Sequence, residues 1–327
     1  MSDSNLLNYP LRFKPQLQYR LWGGDRLITS FHKAAEGSEI GESWEISAVP
    51  GHVSEVAEGP LAGKTLTQLM KEAPEDLLGK KVLEQFGSTF PLLIKFIDAK
   101  IPLSVQVHPN DALAQERHQS FGKNEMWYIL KADPDAELIV GFNQPMDRQA
   151  YQKAMSDGRL EDILHREKVE AGDMIYIPTG TIHAIGAGIL LAEIQQSSDV
   201  TYRVFDYNRV DASTGTTREL HTDLALDAID YSVEKPTTLA YDRTENRPNP
   251  VIETPYFTTQ YISLKGELIR NFPPLESFKI YICVAGTVRL ASGDQLLSFQ
   301  AGECVLIPAR LEQLRWEGEG ELLEVSL

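Results

Sequence analysis

Apolar residues fall along this chain in short runs broken by Gly, Pro and Asp, not at the three-and-four spacing of long helices. Glu45 to Ala48, Leu92 to Ile97, Leu103 to Val107, Met126 to Leu130, Glu137 to Val140, Met174 to Ile177 and Ile189 to Ile194 read as strands, rich in β-branched residues. Helical spacing is confined to patches. Thr65 to Leu83 sets Leu66, Leu69, Met70, Leu77 and Leu78 roughly on one side, and Asp147 to Met155 and Leu220 to Ile229 give two further helices. Strands dominate without alternating regularly with helices. The pattern therefore predicts a mainly β protein of antiparallel barrels or jelly rolls with inserted helices, not a βαβ fold.

One segment recurs. Ala171-Gly172-Asp173-Met174-Ile175-Tyr176-Ile177-Pro178 matches Ala301-Gly302-Glu303-Cys304-Val305-Leu306-Ile307-Pro308, each a Gly turn, a strand and a stopping Pro. The repeat predicts two related barrels, one in residues 1–240 carrying the helical insertions and a degenerate one in residues 241–327. The polar, Pro-rich stretch Lys235 to Pro255 is the expected linker. Five residues after the Pro the first copy has His183 and the second has Gln313, so the second barrel is expected to hold no metal.

Composition narrows the function classes. The 327 residues suffice for a sizeable core, and 42% hydrophobic with 24% charged residues is ordinary for a soluble protein. The net charge of −16 argues against a broad nucleic-acid surface, though a few local cations could hold a small phosphorylated substrate. The start lacks a basic and apolar leader, and no run is apolar enough to span a membrane. Cys283 and Cys304 read as two free buried thiols, which together with the missing leader implies a cytoplasmic home.

The chemistry concentrates around Gln106-Val107-His108-Pro109-Asn110. Side chains alternate along a strand, so Gln106 and His108 project from one side. Glu125 follows about one hairpin later, and His183 follows the Gly-Asp-strand-Pro turn. Two imidazoles, a carboxylate and an amide oxygen suit a borderline divalent cation with a position left for water or substrate, the makeup of a catalytic site. His32, His52, His118, His165 and His221 lack such company and read as surface or supporting residues.

Pro102-Leu103-Ser104-Val105-Gln106-Val107-His108-Pro109-Asn110, the pair Lys123 and Glu125, and Gln195-Gln196-Ser197-Ser198-Asp199-Val200-Thr201-Tyr202-Arg203 together resemble the type I mannose-6-phosphate isomerases of the short bacterial kind. The resemblance runs from Trp22-Gly23-Gly24 and Glu42-Ser43-Trp44-Glu45 to the second barrel. It implies a cupin fold and an enzyme interconverting mannose 6-phosphate and fructose 6-phosphate through an enediol. It implies one Zn2+ per chain, held by Gln106, His108, Glu125 and His183. Arg203 is then the catalytic arginine, with Asp199 as its orienting carboxylate or as a base, and Lys95 and Lys123 are proton-transfer or substrate groups. Ser104 resembles a phosphate contact, Lys100 lies close in sequence, and Trp44, Trp22 and Tyr9 are candidate linings of the sugar pocket. One departure stands out. Many relatives read His-Lys-Pro-Glu where this chain reads Gly122-Lys123-Asn124-Glu125, so a histidine proposed to aid ring opening is absent. Another metal-dependent cupin enzyme and a non-catalytic metal-bearing sugar binder stay open as alternatives at this level.

Overall fold

A computed structural model describes residues 7–35, 37–211, 214–232, 238–293 and 295–327. The first unit is two facing sheets. One is six-stranded, in the order Gln16–Gly24, Ile40–Ile46, Leu92–Ala99, Ile189–Gln196, Glu125–Ala132, Met174–Ile177. The other is five-stranded, in the order Tyr202–Phe205, Val105–Val107, His183–Ile185, Glu137–Phe142, Leu164–Lys168. Side chains from both meet in one interior, where Trp127, Ile175, Ile177 and Leu191 of the first pack with Leu138, Val140 and Ile185 of the second.

Both faces of the central strands are buried, which is why they read as near-continuous apolar runs. In Leu92–Ala99, Leu92, Ile94 and Phe96 face an outer core, while Ile97 and Ala99 face the interior. In Ile189–Gln196, Leu190, Ala192 and Ile194 face outward, and Ile189 and Leu191 inward. Lys95 and Glu193 share the inward parity, so the strand period carries two charges into the barrel.

The helices differ in detail from the periodicity. The stretch 65–83 is three short helices, Leu66–Glu72, Pro74–Leu78 and Lys80–Phe86. Pro74 starts the second because it has no N–H to continue the first. Gly79, at φ 85°, ends it. Arg148–Ser156 and Thr222–Ala228 fall where expected, and Asp111–His118, capped by Asn110, is an additional helix. Helix residues Tyr151 and Ala225 cover the outer face of the second sheet against Val105, Val107, Ile139 and Ala184. The strand expected at Glu45 to Ala48 is Ile40–Ile46, because Ser47 turns the chain by accepting the Val49 N–H on its hydroxyl at 3.1 Å.

The second unit is a sheet of Pro248–Glu253, Thr258–Asn271, Gln313–Ser326, Lys279–Ser292 and Gln295–Gln300, with Cys304–Ile307 also paired to Lys279–Ser292. Pro248 and Pro250 are tolerated because their strand is at the edge. The expected linker therefore ends in a strand, and its residues 235–237 lie outside the described residues.

The internal repeat extends to topology. Leu92–Ala99, Ile189–Gln196, Glu125–Ala132 and Met174–Ile177 lie side by side as do Thr258–Asn271, Gln313–Ser326, Lys279–Ser292 and Cys304–Ile307. Register converts this into residue equivalences. Glu125 pairs with Ile177 as Lys279 pairs with Ile307, and Glu193 pairs with Trp127 as Glu324 pairs with Tyr281. Cys283 and Cys304 are both buried and free. Among the described residues no helix is long and apolar enough to cross a membrane.

Candidate metal centre and active-site cavity

Val105–Val107 turns Val105 and Val107 to the helix-covered side and leaves Gln106 facing the interior. Gln106 stands directly across from His183 on one neighbouring strand and from Arg203 on the other. His108, two residues on, and Glu125, at the start of its strand, are both buried. Ligand atoms of His108, Glu125 and His183 lie within 4.8 Å of one another.

The histidines are aimed. His108 Nδ1 is 2.9 Å from the Val200 carbonyl and His183 Nδ1 is 2.8 Å from the Thr181 carbonyl, so each Nδ1 carries the proton and each Nε2 presents its lone pair. His108 Nε2 lies 3.4 Å from Glu125 Oε1, and His183 Nε2 lies 3.8 Å from Glu125 Oε2. Burial, then the Lys123 charge, pushes the His108 imidazole down to about 3, and burial lowers His183 as well, so both imidazoles are neutral and free to ligate. Burial alone would raise the Glu125 carboxyl, but Lys123 and the two histidines hold it well below its usual range.

These groups fit a metal. His183 Nε2 and both Glu125 oxygens are buried without an aligned hydrogen-bond partner, which costs about 1–3 kcal/mol per group unless something else satisfies them. The Lys123 ammonium already leans on two of the ligand atoms, at 2.6 Å from Glu125 Oε1 and 3.3 Å from His108 Nε2, so the site favours positive charge.

Beside the site, Gln106 and Lys123 line a cavity of about 450 Å³. Of the residues predicted from sequence, Trp44, Lys95, Ser104, Gln106, Lys123, Asp199 and Arg203 line it, as does Trp22. Lys95 Nζ sits 3.3 Å from Glu193 Oε1 and 4.8 Å from the centre of the Trp44 ring. Arg203 Nε donates to Ser104 Oγ at 3.2 Å and Nη1 to the Glu219 carbonyl at 3.0 Å.

Three expectations change. Lys100 follows the end of its strand, is exposed, and lines a separate cavity with Arg26 and Asp98. Tyr9 belongs to the outer core, where its hydroxyl accepts the Leu61 N–H at 3.0 Å. Asp199 is exposed, and the hydrogen bonds of Arg203 go to Ser104 and the Glu219 carbonyl, so Asp199 does not orient the arginine here.

Sequence reading passed over Glu193, Glu42, Arg20 and Arg218, all of which line the cavity. Glu42 accepts from Arg20 at 2.8 Å and from the Trp44 indole at 2.7 Å, and Glu193 accepts from the Trp127 indole at 3.1 Å. A signal existed for Glu193. It is the lone charge in Ile189-Leu190-Leu191-Ala192-Glu193-Ile194, and a fully buried strand carries a charge only when that charge is paired.

Comparison with known proteins agrees with this geometry. A family description, phosphomannose isomerase type I, catalytic domain, matches residues 11–162, and mannose-6-phosphate isomerase, cupin domain, matches residues 249–327. The chain is 37% identical over 317 residues to the mannose-6-phosphate isomerase ManA of Bacillus subtilis, covering 96% of this chain and 98% of that protein. It is 35% identical to the probable mannose-6-phosphate isomerase GmuF of the same organism, covering 97% and 99%. The fold matches a crystal structure of a Bacillus subtilis mannose 6-phosphate isomerase with a TM-score of 0.88 at 32% identity, over 97% of this chain and 99% of that one. With full-length identity above a third, a shared fold and both domain descriptions matched in order, the chain belongs to the type I phosphomannose isomerase family and is an isomerase of the cupin fold.

Proposed function

We propose that this protein is a zinc-dependent aldose–ketose isomerase that interconverts mannose 6-phosphate and fructose 6-phosphate through an enediol. The observation that carries the reading is the buried trio His108, Glu125 and His183, touched by Lys123, which lines a cavity together with Lys95 and Arg203. Metal retention needs none of those three cations. A carbonyl reaction that builds negative charge does.

Gln106, His108, Glu125 and His183 would hold the ion, and two imidazoles with a carboxylate and an amide suit zinc. When bound, zinc supplies Lewis acidity to the oxygens of the substrate. The remaining chemistry falls to the chain. A base takes the proton from C2 of the open-chain aldose, the C–H electron pair becomes the C1–C2 double bond, and the carbonyl oxygen O1 gains a proton. Return of a proton to C1 and loss of the O2 proton give the ketose. Lys95 is the better-placed base, because it lies inside the barrel wall whereas Asp199 is exposed. Glu193, 3.3 Å from Lys95 Nζ, is the neighbour that can exchange a proton with it. Burial, then the nearby Glu125 charge, raises the Glu193 carboxyl. Arg203 steadies charge developing on O1 and O2, Lys123 donates to substrate oxygen, and Trp44 walls the sugar.

The second unit, from about residue 241, carries no metal in this reading. Lys279 stands where Glu125 stands, and Gln313 is exposed and hydrogen-bonded to Asn271 at 2.8 Å. The protein works in the cytoplasm, where two buried thiols stay reduced.

The test combines elemental analysis with a coupled assay for fructose 6-phosphate. The purified protein should carry one zinc per chain, a chelator should abolish turnover, and added zinc should restore it. His183→Ala should lose most of the metal and remain folded. Full activity after metal removal, or stoichiometric zinc in folded His183→Ala, would sink the reading.

A further inference from the structure

The cations of the cavity are not equally matched. Arg20 meets Glu42 at 2.8 Å, Lys95 meets Glu193 at 3.3 Å and Lys123 meets Glu125 at 2.6 Å. Arg203 and Arg218 also line the cavity, but among the described residues the Arg203 guanidinium bonds to neutral oxygens, those of Ser104 and the Glu219 backbone. Arg218 is bound to Asp206, Nε to Oδ2 at 2.8 Å and Nη2 to Oδ1 at 2.6 Å. The same carboxylate also takes Arg209, whose guanidinium gives Nη1 to the Pro102 carbonyl and lies 5.0 Å over the Tyr207 ring.

One buried carboxylate thus serves two guanidiniums, while Arg203 beside them gives its side-chain hydrogen bonds to neutral oxygens. Two further carboxylates, Asp199 and Asp211, line the cavity, of which Asp199 is exposed to water. The two arginines feel each other. Burial and then the charge of Arg218 lower the Arg203 guanidinium from its usual value. Two guanidiniums, those of Arg203 and Arg218, on the lining of one cavity suit the oxygens of an anion such as a phosphate monoester.

Geometry says which end of the substrate goes there. Arg203 stands across from the ligand residue Gln106, and its Nε reaches Ser104, two residues back along the Gln106 strand. Two strand residues span about 6.6 Å. The reacting carbons beside the metal ligands and a phosphate beside Ser104 can therefore belong to one hexose phosphate. Arg218 gives Nε and Nη2, one edge of its planar fork, to Asp206 and lines the cavity. Its backbone follows the exposed pair Thr216–Thr217, so without Asp206 the side chain would have to be ordered at the moment of binding.

Building on the function proposed above, we propose that Arg218 binds the substrate phosphate beside Ser104, and that buried Asp206 is the residue that positions it. The account rests on that function, and the experiment separates the two. Steady-state kinetics with mannose 6-phosphate are measured for the wild type, R218A, R218K and D206N, with inorganic phosphate as inhibitor and a thermal melt of each. R218A should raise KM about tenfold to a hundredfold, the worth of one charge-assisted hydrogen bond, and weaken phosphate inhibition in parallel. Its kcat should change much less, because the phosphate is held alike in ground and transition states. R218K should recover part of the loss. D206N should move KM in the same direction, and if it fails to fold R218A decides alone. An R218A enzyme with unchanged KM and unchanged phosphate inhibition overturns the proposal, and so does one that loses only kcat. A wild type that makes no fructose 6-phosphate overturns the function instead. In that case calorimetric binding of inorganic phosphate, present in the wild type and lost in R218A, still decides the phosphate site.

Discussion

At position 122 the backbone leaves no room for a side chain. A Cβ there would lie 2.7 Å from the Asp111 nitrogen and 2.9 Å from the Asn110 carbonyl carbon, both backbone atoms that cannot swing away. The Gly122 N–H also donates to Asp111 Oδ1 at 2.7 Å, which ties the loop before the candidate ligand Glu125 to the helix Asp111–His118. The missing family histidine is therefore built into the local packing. Gly122→His should be destabilised by about 1–3 kcal/mol, the usual cost of overpacking, with a lower Tm and no gain in turnover. Calorimetric melting checks it, and a variant as stable as the wild type would mean that the loop yields freely. Sequence singled out His108, Glu125 and His183, which the fold brings together, because their donors are unusual for strand interiors. It passed over Glu193 and Arg218 because neither has a recognisable spacing partner. Glu193 is matched to Lys95 by the pairing of two strands far apart in the chain, and Arg218 is matched to Asp206 by a loop that returns to the sheet.

Among the elements, Ile40–Ile46 has the most to reconcile. Its inward residues Glu42 and Trp44 line the cavity, while Glu45 is buried in a different polar cluster. Lys33 Nζ lies 2.8 Å from Glu45 Oε1 and donates to the Gly302 carbonyl at 2.8 Å, and Ser43 donates to the same carboxylate oxygen at 2.5 Å. This buried pair thus joins a cavity strand to the turn that opens the repeat segment of the second unit. Lys33→Met removes the cation and leaves the carboxylate buried and unpaired, which typically costs about 3–5 kcal/mol. Chemical denaturation should show that loss, and Glu45→Gln in the Lys33→Met background should recover part of it. A Lys33→Met protein of native stability would remove this pair from the account of how the units are held. Element types were readable where one face alternates or both faces are apolar, as in Met174–Ile177, which falls where expected. The first strand, Gln16–Gly24, was not readable. Most of its residues are only half-buried, and its pairing with Ile40–Ile46 shifts register twice, so no clean period of two survives in the sequence.

At the scale of the molecule, one strand arrangement is used twice with opposite electrostatic content. In the first unit the inward position opposite Ile177 is the carboxylate Glu125, and in the second the position opposite Ile307 is the ammonium Lys279. Glu193 serves the lysines of the cavity, whereas its counterpart Glu324 is closed off by Arg270 at 2.8 Å and by the Tyr281 hydroxyl at 2.5 Å. The repeat was visible in eight residues of sequence. That its second copy fills its own interior with an internal ion pair was not, because Arg270 and Glu324 come from strands whose register only the fold supplies. What the whole arrangement is claimed to do is move a proton between two carbons of a sugar phosphate. The most direct measurement is nuclear magnetic resonance of mannose 6-phosphate incubated with the metal-loaded enzyme in heavy water. The account predicts that fructose 6-phosphate forms with deuterium at C1 and that recovered mannose 6-phosphate gains it at C2, in part if the enclosed base returns the same proton before solvent exchanges it. No ketose, or ketose and aldose that both stay unlabelled over many turnovers, would contradict it.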